Sequence, residues 1–268
     1  MTPLSMKPVS MTLLRDELAG AFGRLGRGGQ EAHFFLRDDD SDVVEETLTS
    51  LLDICRRHRA AINLAAIPGN LTNDGARFLR ESVSAHPELV EVHQHGWMHV
   101  NHEPQGKKCE FGPARSFSEQ RADIAAGKAR MDEAFGSAWF PAFTPPWNRC
   151  TEETRRALEE LGFSALSTDG CVRHTPDYRF HQIPVTLDVF RWKGNRTLRP
   201  AGEIVGELIL QMERRQTVGI LLHHKVMDSA AFHFLDWLLA EIRRYPLARF
   251  QTFHRMTAAL GAAPDRVE

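Results

Sequence analysis

The feature that most restricts this chain is a repeated alternation. Short apolar runs take turns with longer amphipathic stretches from residue 33 almost to the end. Apolar runs of 4–8 residues bounded by turn signals read as buried strands, and apolar residues at i, i+3, i+4 and i+7 read as one helix face. Strands are predicted on that basis over 33–36, 61–67, 89–93, 138–143, 163–167 and 218–222, with a last short one over 250–253. Helices are predicted over 43–59, 73–84, 116–135, 151–161, 204–215 and 230–244. Ser116 and Glu119 have capping-box spacing at the head of the 116–135 helix, and Gly162 closes the helix before it. Seven or eight strand–helix units in 268 residues imply a parallel sheet covered on both faces. Roughly 250 residues is the usual size at which such a sheet closes on itself. The predicted fold class is α/β, a distorted, TIM-barrel-like (β/α) barrel of seven or eight parallel strands that takes residues 1–268 as one domain.

An open, doubly wound sheet is the competing arrangement, but no GxGxxG follows the first strand. Gly26, Gly28 and Gly29 precede that strand and read as a flexible turn. Breaks at Pro104, Gly106, Gly112 and Pro113 mark 102–117 as a long surface loop over one end of the barrel. The formal net charge is −2, so nothing draws the chain towards nucleic acid or an anionic membrane. No apolar run nears the ~18 residues of a membrane span, and Arg15, Asp16 and Glu17 interrupt the one stretch resembling a leader. A cytoplasmic location is expected. Cys55, Cys109, Cys150 and Cys171 form no CxxC pair, which leaves reduced thiols or disulfides open.

In a β/α barrel, catalytic groups lie just beyond the carboxyl ends of the strands. Here Arg37, Asp38, Asp39 and Asp40 follow the first strand. His93, His95, His99 and His102 cluster at the third. Thr144, Pro145, Pro146, Trp147 and Asn148 follow the fourth, Asp169 the fifth, and His223 and His224 the last long one. Three successive carboxylates repel one another unless a cation relieves them, although Asp40 to Asp42 could equally cap the next helix. His95 and His99 are four apart, so one helical turn would bring both imidazoles to one side, as in paired histidine ligands of zinc. One carboxylate with two imidazoles leaves coordination positions open for water and substrate, as catalysis requires. Along the last strand, His223 and His224 point to opposite faces; His223 is the one expected to face the site.

These strand ends, taken in order, resemble the polysaccharide deacetylase superfamily, the NodB-like carbohydrate esterases. Arg37 to Asp40 is similar to that family's first motif. His95-Gly96-Trp97-Met98-His99 is similar to its second, and Thr144 to Asn148 to its third. Asp169 is similar to the fourth, and Leu221-Leu222-His223 to the fifth, so that the resemblance spans about residues 33–225. It implies a metal-dependent hydrolase removing an acetyl group from an N-acylated sugar, with a divalent metal, zinc by expectation, held by Asp40, His95 and His99. Asp39 would be the base and His223 the acid. The alternative register puts the base at Asp38 and the ligand at Asp39. Arg37, Trp97, Pro145, Pro146, Trp147, Asn148 and Asp169 would bind substrate, and Phe111 would join Trp97 and Trp147 in an aromatic floor. The family's third motif carries an arginine that orients the base. Thr144 stands there instead, which leaves Arg37 or Arg149 to substitute or the activity unusual or absent. The expected partner is a small acylated carbohydrate, with a homo-oligomer left open. The alternatives are a cyclic-amide hydrolase of the same superfamily and a non-catalytic glycan- or metal-binding protein on the same fold.

Overall fold

The computed structural model describes residues 10–170, 178–214 and 217–261. Cys171 and the predicted helix end at Arg215 lie outside the described residues. In chain order the strands are β1 (Ala32–Asp39), β2 (Ile62–Ala66), β3 (Val90–His95), β4 (Ala142–Thr144), β5 (Ala165–Leu166), β6 (His181–Gln182), β7 (Leu187–Asp188), β8 (Phe190–Arg191), β9 (Thr197–Leu198), β10 (Val218–Leu222) and β11 (Ala248–Phe250). The helices are α1 (Met11–Arg27), α2 (Glu46–Arg57), α3 (Asn73–Ala85), α4 (Phe117–Phe135), α5 (Glu152–Glu160), α6 (Ala201–Glu213), α7 (Ser229–Arg243) and α8 (Phe253–Gly261).

The period-two alternation of β1 explains the layering. Phe34 and Leu36 belong to the large apolar cluster beneath the helices. Phe35 belongs to a small separate cluster with Ala142, Ala165, Ile183, Val185, Leu221 and Phe253, the barrel interior. Arg37 and Asp39 continue the inner row and Asp38 the outer one. Strand β3 repeats the pattern: Val90 and Val92 face the helices, while Glu91, His93 and His95 face inward.

The sheet runs β6-β5-β4-β3-β2-β1-β10-β7, and β11 pairs with the start of β1. All these pairings are parallel. One segment, 183–187, draws the two edges together. Ile183 N and Val185 N donate to Leu166 O and Thr168 O at 2.9 and 2.8 Å, and Thr186 N donates to Gly219 O at 2.8 Å. The result is a distorted, curled β/α barrel, as the alternation implies.

Most elements fall where the pattern puts them. The Ser116–Glu119 capping box forms, and Gly162 takes the left-handed φ of +71° that ends α5. Several expectations need correction. The 250–253 strand stops at Phe250, and Phe253 instead opens α8, which plugs the base of the barrel against Phe35 and His93. Loop 102–117 is not all surface, because Cys109, Glu110 and Phe111 are buried. Helix α1 goes unpredicted because Gly20, Gly23 and Gly26 dilute its apolar stripe of Leu14, Leu18, Ala21, Phe22 and Leu25. Cys55, Cys109 and Cys150 are free thiols. No helix among the described residues is long and apolar enough to cross a membrane.

Candidate metal centre and active site

The carboxyl end of β1 presents Asp39 inward and then bends. Asp40 adopts a left-handed φ of +72°, which turns its carboxylate towards β3. Asp40 Oδ1 lies 3.4 Å from His95 Nε2 and 3.5 Å from His99 Nε2. One ligand atom from each of the three residues falls within 4.8 Å of the others. His95 is the last residue of β3 and is 1% exposed; its Nδ1 sits 3.0 Å from Thr144 O. A carbonyl can only accept, so Nδ1 carries the proton and the Nε2 lone pair faces Asp40. No helix joins His95 to His99. Gly96 and His99 take φ of +57° and +56° in a tight turn, which sets the two ring centroids 5.2 Å apart. The expected helical turn is therefore replaced by an irregular one with the same outcome.

Asp40 Oδ1 is buried without a hydrogen-bond partner, an arrangement that a cation would satisfy. One carboxylate and two imidazoles suit a divalent ion with open positions. Burial raises the Asp40 carboxyl, but His95 beside it, with His99, holds it well below the usual carboxylate range. Burial lowers His95, and Asp39 and Asp40 together outweigh this to leave it raised. His99 is lowered, by burial and then by the charge of His95.

Asp39 stands beside this trio. Arg37 grips it through two bonds, Nε to Oδ1 at 2.9 Å and Nη2 to Oδ2 at 3.0 Å. The remaining guanidinium donors go to Ser167 O and Oγ at 3.1 and 2.9 Å and to Asn148 Oδ1 at 2.6 Å. Burial raises Asp39, and Arg37, assisted by His95 and His223, more than reverses this. Arg37 is fully buried and acts on the site through Asp39 and Asn148. It supplies a guanidinium to the carboxylate from two residues upstream on the same strand, and Asn148 serves Arg37.

His223 follows β10 with its Nε2 3.8 Å from Asp39 Oδ2. Asp38 lies on the other face, fully buried, where Ser41 Oγ, His224 N and His224 Nδ1 contact it at 3.1, 2.8 and 2.5 Å. The period-two geometry thus separates Asp38 and His224 from Asp39, Asp40 and His223.

A cavity of about 720 Å³ opens over the cluster, lined by Asp39, Asp40, His95, His99, Trp147 and His223. Asn148, Arg149 and Asp169 also line it and are shared with a second cavity of about 750 Å³. Trp147 packs on His99 with centroids 4.5 Å apart. Trp97, Pro145, Pro146 and Phe111 do not reach the cavity; Phe111 packs on Phe143 at 5.3 Å instead. The far wall comes from residues with no role in the sequence reading: Asp188, Trp192, Arg196, Arg199 and Glu207. Trp192 Nε1 donates to Asp188 Oδ2 at 2.6 Å, and its ring meets His223 edge-on at 4.4 Å. A legible signal existed, since Gly194-Asn195 between short strand-like runs reads as a hairpin turn. The β8–β9 hairpin is what that signal encodes.

No protein-family model matches the sequence, and no curated protein matches it. Solved structures do match. A protein from Mycobacterium smegmatis assigned as a polysaccharide deacetylase superposes with a TM-score of 0.65 at 15% identity, over 87% of this chain and 92% of its own. This chain has the polysaccharide deacetylase fold. A family 4 acetyl xylan esterase from Clostridium thermocellum, in complex with a cobalt ion, matches with a TM-score of 0.58 at 16% identity, over 85% of this chain and 91% of its own. A mutant of a Bacillus anthracis family 4 pseudoenzyme with restored enzymatic activity matches with a TM-score of 0.55 at 18% identity, over 85% of this chain and 68% of its own. The polysaccharide deacetylase fold thus accommodates both active and inactive members.

Proposed function

We infer that the chain is a metal-dependent hydrolase that removes an acetyl group from an N-acylated sugar. The observation that carries this reading is the convergence of three parts in one cavity: the Asp40–His95–His99 cluster, Asp39 tethered by Arg37, and His223. A bound divalent ion, for which zinc is the proposed identity, would lower the pKa of water towards about 7 and polarise the acyl carbonyl.

The chain's own groups do the rest. Asp39 accepts the proton of the attacking water, and Arg37 fixes both its oxygens while keeping it ionised. His223 delivers a proton to the departing nitrogen. Trp192, in a T-shaped contact with His223, restricts that ring. Trp147 and Trp192 both line the cavity, and aromatic side chains there suit sugar-ring packing. The absent third-motif arginine slightly favours the non-catalytic alternative, and the pairing of Arg37 with Asp39 supports the catalytic reading.

The test is acetate release from a panel of N-acetylated amino sugars and acetylated oligosaccharides, before and after chelation and reconstitution with Zn²⁺. Asp39→Asn and His223→Ala should each lower kcat by roughly 10²-fold or more while retaining metal. His95→Ala combined with His99→Ala should lose the metal, and either substitution alone should weaken its binding. Full turnover in His223→Ala would remove it from the acid role, and loss of metal there would make it a ligand. Metal binding without turnover on the whole panel would favour the non-catalytic reading.

A further inference from the structure

We propose that Glu110 is a positioning residue for the metal centre and that it acts by holding the turn that carries His99. This rests on the metal reading of Asp40, His95 and His99 given above. Residues between His95 and His99 form no helix, so their backbone groups need partners from elsewhere. Gly96 N donates to Thr144 O at 3.0 Å, Gly96 O accepts from Gln94 Nε2 at 2.9 Å, and Trp97 O accepts from Gly69 N at 2.9 Å. The two remaining amides converge on one carboxylate. Met98 N donates to Glu110 Oε1 at 2.7 Å and Trp97 N to Glu110 Oε2 at 3.3 Å.

Glu110 reaches in from loop 102–117 and is fully buried, so water cannot take its place. Successive amides closing on a carboxylate form a charge-assisted clamp. The fit is tight, because a Cβ on Gly96 would sit 2.2 Å from Glu110 Oε2. His99 follows Met98 directly and takes a left-handed φ of +56°, a conformation that costs a non-glycine residue about 1–2 kcal/mol. That cost must be offset from outside the turn. His95 does not need this support, since β3 and the Thr144 carbonyl fix it independently. Glu110 therefore acts on His99.

Cobalt(II) titration of chelator-treated protein tests this, reading Kd, the visible absorption of the bound ion and the metal-free Tm. Glu110→Gln should weaken cobalt binding about 10–100-fold, the usual effect of losing a residue that orients a ligand, and alter the absorption band. Glu110→Asp keeps the charge but falls short of the amides, so it should weaken binding as well, and it serves if the glutamine variant does not fold. In a His99→Ala background, Glu110→Gln should cause no further loss. Glu103→Gln, in the same loop but bonded to Ala114 N, should bind as wild type. Wild-type Kd and spectrum in folded Glu110→Gln or Glu110→Asp, even with a lowered Tm, would overturn the proposal. So would a loss that persists in full without His99. Failure of the wild type itself to bind cobalt would instead overturn the metal reading on which the proposal stands.

Discussion

Replacing Arg37 by methionine tests whether the guanidinium is what allows a carboxylate to stand inside the barrel mouth. Arg37 is 0% and Asp39 4% exposed, so water cannot substitute for the lost cation. Methionine keeps much of the stem volume while removing both bonds to Asp39 and the donors to Ser167 and Asn148. Removing one member of a buried pair costs about 3–5 kcal/mol, because the other charge is left uncompensated. For a chain of this size that corresponds to a fall in Tm of roughly 6–20 °C. The assay is urea unfolding of metal-free protein, so that bound ions add nothing to the apparent stability. Combining Arg37→Met with Asp39→Asn should recover roughly half of the loss, since a neutral amide strands no charge. A single variant within about 1 kcal/mol of wild type, the scale of a surface pair, would refute the reasoning. A double variant no more stable than the single would do the same.

Two further outcomes follow from the interior. Glu91 lies at the barrel base, where burial pushes its carboxyl up to about 7 against the pull of the His254 amide. A folded value above the unfolded ~4.3 means that the native state favours the protonated form. This contribution is complete below pH ~4.3 and is lost as pH rises towards 7, by about 4 kcal/mol in all. Glu91→Gln should therefore flatten the decline in urea stability between pH 5 and 8, and parallel curves for the two proteins would exclude the assignment. Gly96→Ala should destabilise the fold by about 2 kcal/mol or more, because φ is +57° and the new Cβ would meet Glu110 Oε2 at 2.2 Å and Pro146 Cδ at 2.6 Å. An unchanged thermal midpoint would show that the turn relaxes.

What the sequence determined by itself is local and periodic. Alternation of apolar runs with amphipathic helices specified the parallel barrel, because both periodicities are written in consecutive residues. The same period of two makes Asp39 and Asp38 point to opposite faces, but only the packing decided which face was the interior. Asp38 meets His224 behind the sheet, while Asp39 meets Arg37 inside it. The role of Arg37 depended on tertiary structure for the same reason, since a guanidinium two residues upstream becomes a partner only when its strand places both side chains in one narrow interior. The His95–His99 spacing was legible, yet the turn that realises it is irregular, with amides that bond Glu110 of the following loop. Trp192 came from the short β8–β9 hairpin and Asp188 from the two-residue β7 before it, strands too brief for periodicity to reveal their facing. Contacts between residues distant in sequence carry no local signature, so the far wall of the cavity and the clamp on His99 were fixed only when the barrel closed.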